Sequence, residues 1–349
     1  MKPIHKIATS ATVAVTATLG FSVNALAATF NPSEVQYHKL IVAGDPNGTP
    51  PDSPSNRVDP NTTTSPFAGV GSLFMDLGGG SGFLCTGATI SSTHILTAGH
   101  CLDEDDNGTA DFLPNKVRFN LNFGSDLSHT ITASALNINP DYTGFLNPTV
   151  NDDIAIITLS EALPDGVPIY DLFRNPVSEG ETFTMVGYGT TGNGIDGLTG
   201  GASFNVKRVG YNNADLFDVD DEGSGVNEVF YYDFDGPDPS TNLIGGLTLG
   251  NDIEGSIGPG DSGGPSFVIK NGSMFLAGVN TFEFTTSDEQ IFGTFGTGGG
   301  GILVSSYTDW IDSIVKPKSV PEPSSVVGTL MLGALGTGSW LKRKQKKGA

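Results

Sequence analysis

One serine in this chain stands among glycines, in Gly258-Pro259-Gly260-Asp261-Ser262-Gly263-Gly264-Pro265. Glycines around a serine let the backbone approach a reacting carbonyl, and two neighbouring N–H groups can point at one developing oxyanion. Such a serine needs a base, and the five histidines, His5, His38, His94, His100 and His129, all lie upstream of it. The segment also fits G-x-S-x-G, the strand-to-helix nucleophile elbow, but an elbow serine takes its histidine from downstream, so that reading fails. Ile95-Leu96-Thr97-Ala98-Gly99-His100-Cys101 supplies one histidine in a distinctive setting. Asn151-Asp152-Asp153-Ile154-Ala155-Ile156 sets two acids before an apolar run. His94 and His129 lack such context and read as ordinary surface or core histidines.

With the order His, Asp, Ser in place, the chain resembles the trypsin/chymotrypsin family of serine proteases over roughly Ile41–Val315. The resemblance is carried by L-T-A-G-H-C, N-D-D-I-A-I-I, V-G-Y-G-T (Val186–Thr190), G-D-S-G-G-P and a terminal helix around Tyr307–Ile311, all in family order. It implies two six-stranded antiparallel β-barrels, an all-β fold closed by a C-terminal α-helix. It also implies roles. Ser262 would attack the scissile carbonyl, His100 would act as general base and then general acid, and Asp153 would fix the imidazole tautomer. Asp153 is preferred to Asp152 because the family acid directly precedes the apolar strand. The N–H groups of Gly260 and Ser262 would form the oxyanion hole.

The same resemblance pairs Cys85 with Cys101, the only two cysteines, in a disulfide beside the histidine. An exported chain permits that bond, and closing the loop is worth ~3 kcal/mol on the chain-entropy argument. Ile41-Val42-Ala43-Gly44 resembles the terminus freed on zymogen activation, whose ammonium would pair with Asp261, although Leu40 rather than a basic residue precedes it. Arg57-Val58 offers a second basic cut site. Ser256 falls at the base of the expected S1 pocket where a trypsin carries Asp, so strict Arg/Lys specificity is not expected. The pocket walls would come from Asn280, Thr281, Phe282 and Gly300–Gly301, with Glu254 a nearby source of charge. No cofactor is required. Asp103, Asp105, Asn107 and Asp111 nevertheless alternate as calcium ligands do around Gly108, without an EF-hand's closing Glu. A structural calcium there competes with a solvated acidic loop. Asp218–Gly223 is a weaker calcium pattern.

The elements that must position these residues are short. Apolar runs at Phe67–Phe74, Phe83–Ile90, Ile95–Thr97, Val117–Phe123, Ile154–Leu159, Phe183–Val186, Val229–Phe234, Phe267–Ile269, Met274–Val279 and Gly301–Val304 alternate with Gly, Asn and Asp turns, which predicts a sandwich or barrel. The predicted helix is Ser306–Val315. Asp45–Ser65 reads as an irregular arm. The Gly-rich stretches at 192–201 and 298–301 lack the strand-then-helix context of a phosphate loop. The chain has 349 residues, 48 of them Gly and 21 Pro, which suits such a turn-rich fold and weighs against a helical bundle. Between Ala28 and Val320, 37 acidic residues face 10 basic ones. A body that acidic repels phosphate backbones, which excludes a nucleic-acid partner.

Both ends read as addresses. Residues 1–27 carry Lys2 and Lys6, an apolar stretch and Ala25-Leu26-Ala27, a secretory signal peptide. Residues 28–40 form a pro-segment and 41–318 the protease domain. Residues 319–349 resemble a PEP-CTERM sorting signal: Val320-Pro321-Glu322-Pro323, an apolar run at Val326–Leu341 and a basic tail. That run reaches about 24 Å, a little short of the ~30 Å hydrocarbon core. The resemblance implies transient membrane association, recognition by an exosortase-type enzyme, and delivery to the cell surface or extracellular matrix. The alternative is a plain anchor in the inner membrane facing the periplasm. The expected substrates are proteins or peptides, and the activity is that of a secreted serine endopeptidase. Two rivals stand beside it: a non-catalytic surface or matrix-binding module on a protease scaffold, and an esterase using the same triad.

Overall fold

The computed structural model describes residues 28–30, 41–145, 149–250, 253–286 and 289–316. The expected signal peptide, residues 31–40 of the expected pro-segment and the expected sorting signal with its apolar run lie outside these. The chain divides into two units, Met1–Thr308 and Asp309–Ala349.

The first unit begins with β1 (Ala28–Phe30) and β2 (Ile41–Ala43), and continues into one antiparallel sheet. Its strands are β3 (Val70–Gly78), β4 (Ser81–Thr89), β5 (His94–Thr97), β6 (Val117–Leu121), β7 (His129–Ile138) and β8 (Ala155–Leu159). They run in the order β4-β3-β6-β7-β8-β5, and β5 returns to pair with β4 at Ala88↔Leu96 and Thr89↔Ile95. The result is a closed six-stranded barrel, with β1 added alongside β4. Closure removes the free edges that an open sheet would expose. Leu73, Ile95, Phe119, Ile131 and Ile156 are buried in it.

The second sheet uses β9 (Glu181–Gly187), β12 (Arg208–Ala214), β13 (Leu216–Val219), β14 (Asn227–Asp233), β15 (Pro265–Lys270), β16 (Ser273–Phe284) and β17 (Gly298–Leu303). Their order is β12-β9-β15-β16-β17-β14-β13. Among the described residues no ladder closes this seven-stranded sheet, so the two-barrel expectation is met by one closed barrel and one sheet. Phe183, Met185, Phe230, Tyr232, Val268 and Leu303 form its core. Asn271-Gly272 joins β15 to β16 with φ of +52° and +78°, the left-handed pair that a two-residue hairpin demands. β10 (Thr191–Asn193) and β11 (Gly197–Gly200) make a small third sheet with β2, which runs parallel to β10.

All ten predicted apolar runs carry strands. The Asp45–Ser65 arm holds a 3-10 turn at Pro54–Arg57 and is more ordered than its composition suggests. Arg57 is buried and donates through Nε to Asp52 Oδ2 at 2.9 Å, so the second basic cut site is enclosed. Lys207 and Asp59 make another buried ion pair at 3.1 Å. A 3-10 turn at Val304–Tyr307 leads into the helix α1 (Thr308–Val315), which starts two residues later than predicted. Among the described residues no helix is long and apolar enough to cross a membrane.

Candidate active site

β5 and β8 are neighbours, with Thr97 opposite Ala155. The turn leaving β5 therefore meets the turn entering β8, which brings together two segments 53 residues apart. His100 Nδ1 lies 2.7 Å from Asp153 Oδ2, and the His100 N–H donates to Asp153 Oδ1 at 2.8 Å. Asp153 is fully buried and His100 nearly so. A carboxylate that grips both ring and backbone fixes the orientation of the imidazole and holds the Nδ1–H tautomer, leaving Nε2 as the basic nitrogen. The Phe145 ring packs edge-on to His100, 5.2 Å between centroids. Asp152, with φ +60°, faces the other way and bonds through its N–H to Tyr307 Oη. It is Asp153, not its neighbour, that meets His100.

Ser262 arrives on the loop before β15. Its carbonyl accepts from Thr86 N at 2.8 Å and lies 3.7 Å from Cys101 Sγ, the residue next to His100. No hydrogen bond joins Ser262 Oγ to His100 in this structure. Such bonds are commonly long before substrate binds and tighten in the complex. Gly263 has φ +78°, and a Cβ there would collide with Thr97 Oγ1 and the Thr86 carbonyl. Only glycine lets the Ser262 loop lie this close to the barrel. The N–H of Asp261 is taken by Gly258 O at 2.9 Å, whereas those of Gly260 and Ser262 on either side meet no acceptor among the described residues. Two open donors flanking one bonded donor are what an oxyanion site needs.

Thr86 joins these parts and carried no signal in the sequence. Besides its N–H bond to Ser262, its hydroxyl donates to Gly260 O at 2.9 Å and accepts from Tyr188 N at 3.1 Å. Its carbonyl accepts from Thr97 Oγ1 at 2.9 Å. Cys85, the preceding residue, is disulfide-bonded to Cys101 as the resemblance implied, both sulfurs buried.

The pocket residues take definite places. Asn280 N donates to Gly264 O at 2.8 Å and Asn280 O accepts from Gly263 N at 2.7 Å, which docks β16 onto the Ser262 loop. Gly301 stands opposite Asn280, Phe282 opposite Gly300, and Thr281 lies buried between them. Ser256 is fully buried and bonds through its N–H to Val42 O. Glu254 is held by backbone donors: Oε1 accepts from Asp235 N (2.7 Å) and Oε2 from Leu249 N (2.9 Å). The carboxyl that sequence reasoning missed is Glu283. In the register it faces Gly299, and Gly299 faces Tyr232 on the other side. A Cβ on Gly299 would collide with the Tyr232 phenol, so the tyrosine ring fills the space the glycine leaves. Glu283 Oε1 is shielded from water with no hydrogen-bond partner among the described residues, and burial pushes this carboxyl well above its ordinary range.

Ile41 and Asp261 are not joined. Ile41 is buried in β2, in a chain that is continuous through Leu40. The Asp261 carboxylate instead accepts from Gly189 N at 2.7 Å and Gly258 N at 3.0 Å. Burial outweighs these bonds and the pull of Arg208, raising Asp261 to about 7. Burial likewise raises Asp215 to about 7 and Glu254 to about 8. Each group holds its proton in the fold at a pH where the unfolded chain has released it. The native state therefore binds more protons, and stability falls as pH rises from about 4 toward 8. Asp261 alone contributes on the order of 2 kcal/mol between pH 5.5 and 7, and the other two act in the same direction. Urea unfolding of the uncut chain is expected to show a higher midpoint at pH 5.5 than at pH 8. An equal or lower midpoint at pH 5.5 contradicts this assignment.

In the acidic loop, Asp103, Asp105 and Asp111 each bring one oxygen within 4.8 Å of the others, so the three can hold a calcium ion. Asn107 Oδ1 is turned to Thr109 N at 2.9 Å. His94 Nδ1 meets Ser91 Oγ at 2.7 Å and Thr93 Oγ1 at 3.2 Å, and His129 Nδ1 meets Ser128 Oγ at 3.0 Å.

Two comparisons with known proteins bear on the family. Residues 65–215 match the family model described as Trypsin, a stretch that contains His100 and Asp153 and ends before Ser262. A protein of Corynebacterium glutamicum (strain R), named "Uncharacterized peptidase", is 26% identical over 274 residues, which cover 72% of this chain and 79% of that protein. A trypsin-family domain and a distant peptidase relative together support a trypsin-like serine protease.

Proposed function

We propose that the chain is an exported serine endopeptidase that cleaves protein or peptide substrates through Ser262, His100 and Asp153. The observation that carries this reading is the two-point grip of buried Asp153 on His100. Asp153 keeps the proton on Nδ1, so Nε2 can draw the hydroxyl proton as Ser262 Oγ adds to the scissile carbonyl. The N–H groups of Gly260 and Ser262 take the charge that develops on the carbonyl oxygen. The imidazolium returns its proton to the leaving amine, an acyl-enzyme remains, and water brought in by the same base releases it. Ser256, Asn280, Thr281, Phe282 and Gly301 would receive the side chain on the acyl side of the cut. The seven-stranded sheet would supply the second barrel, with β12 reaching β14 through Asn212 Nδ2 and Asp233 O at 2.7 Å.

A cut before Ile41 would free an ammonium able to replace Gly189 and Gly258 as the partner of Asp261. Residues 1–27 would direct export, and residues 319–349 would be handled by an exosortase-type enzyme at the membrane before the protein reaches the cell surface or matrix. Calcium on Asp103, Asp105 and Asp111 would brace the loop after His100.

The deciding experiment is labelling of the mature protein by a fluorophosphonate. One adduct at Ser262 is expected, with none on Ser262→Ala. A correctly processed protein that stays unlabelled and inactive points to the non-catalytic module. Labelling with ester turnover but no amide turnover points to the esterase.

A further inference from the structure

Arg208, on β12, is fully buried, and the mechanism gives it no task. Its Nε donates to Pro54 O at 2.9 Å. Both terminal guanidinium nitrogens, Nη1 and Nη2, are shielded from water and have no hydrogen-bond partner among the described residues. A buried cation with idle donors is costly unless a negative charge balances it.

The register of β12 against β9 shows where that charge lies. Arg208 stands directly opposite Gly187. Cross-strand partners present their side chains to the same face, with Cβ atoms about 5 Å apart. Gly187 has no side chain, and a Cβ placed on it would lie 2.1 Å from Asp261 Oδ1. The Asp261 carboxylate thus occupies the place of the missing side chain, on the face that Arg208 shares. Asp261 is fully buried too, and its two oxygens accept from Gly189 N and Gly258 N, neither of which brings a full charge. Asp261 is the charge that acts on Arg208, and Arg208 is the cation that acts on Asp261. The other ionisable groups near this carboxylate, Glu283 on β16 and Tyr232 on β14, bring no positive charge. Burial lowers the guanidinium only to about 9, so it stays cationic at neutral pH.

We propose that Arg208 is the counter-ion of Asp261 and, through it, a positioning residue for the oxyanion hole. The role has meaning only if Ser262 is the nucleophile, the reading on which the proposal rests. Asp261 lies between Gly260 and Ser262, whose N–H groups meet no acceptor among the described residues. Holding its side chain inward, against Gly187 and Gly189, therefore fixes the peptide planes that aim those two donors. The two charges are not in direct hydrogen-bonded contact, so Arg208 acts across the face they share. The loop has this buried cation in the uncut chain, and an ammonium freed at Ile41 would be a second one.

The test uses the full chain and reads kcat and KM on a casein-derived peptide, a thermal melt, and fluorophosphonate labelling at Ser262. Arg208→Met keeps the bulk and removes the charge. It is expected to lower kcat about a hundredfold, the order of a lost oxyanion donor, with KM within about threefold of the parent. Measured well below the melting temperature, a side chain that only packs would leave kcat unchanged. In an Asp261→Asn background the same change is expected to cost less than about threefold, because the charge it answers is gone. Arg208→Lys retains the charge and is expected to stay within about tenfold of the parent. It stands in should Arg208→Met not fold. A labelled, active parent whose Arg208→Met variant turns over equally fast overturns the proposal. So does a hundredfold loss in Arg208→Lys, or one that persists in the Asp261→Asn background. A parent never labelled at Ser262 overturns the serine-protease reading and the proposal together.

Discussion

Replacing Ser262 with alanine is expected to lower kcat for peptide hydrolysis by on the order of 10^6, with KM nearly unchanged. In the proposed mechanism the hydroxyl forms the covalent bond, and nothing else on its loop could take over. Gly260, Gly263 and Gly264 carry no side chains, and the Asp261 carboxylate is held by Gly189 N and Gly258 N. The expected residual rate belongs to the open N–H groups of the loop and to substrate binding, which survive the change. The fold should be undisturbed, because the loop is fixed through its backbone: Thr86 N to Ser262 O, Gly263 N to Asn280 O and Asn280 N to Gly264 O. The check is kcat on a casein-derived peptide beside a thermal melt. A variant that melts as the parent does and keeps a hundredth of its turnover removes Ser262 from the chemistry.

The second large loss is expected from Asp153→Asn, about 10^4 in kcat near neutral pH. An asparagine can keep Oδ1 as acceptor for the His100 N–H, so the turn stays closed. Its amide nitrogen then faces Nδ1 and donates to it. The ring responds by carrying its proton on Nε2, where it can no longer accept one from Ser262. The imidazolium formed during attack also loses its buried counter-charge. Turnover should fall while substrate binding stays close to that of the parent. A loss of less than tenfold would mean that Asp153 does not set the tautomer, and the two-point contact with His100 would need another explanation.

What the sequence made legible was local. Ile95–Thr97, Ile154–Leu159 and Phe267–Ile269 announce strands because β-branched and aromatic residues fill them, and the glycines around Ser262 announce a tight loop. β7, with the sequence HTITASALNI, escaped because serine, alanine and asparagine interrupt its apolar face. β12, with Gly210, Asn212 and Asn213, and the exposed β13 escaped for similar reasons. Their strand character comes from partners across the sheet, not from composition. The same limit holds at the site. His100 and Asp153 could be read from their flanking residues and do meet. The two backbone N–H groups that Glu254 accepts come from Asp235 and Leu249 and could not be read from its neighbours in the chain. Glu283 and Thr86 have unremarkable neighbours in the chain, and acquire their positions only through β14–β17–β16 register and through the approach of the nucleophile loop to β4.

The crossing of four hydrogen bonds on Thr86 has a mechanical consequence. This one side chain and its peptide groups tie the closed barrel to the carbonyls on both sides of Asp261, at the seam where a cleft between two halves would otherwise hinge. A bulky ligand cannot prise that seam open without dragging on the main chain of Ser262. Shape adaptation to different ligands must therefore fall to the surface loops around the cleft, while the seam itself behaves as a rivet.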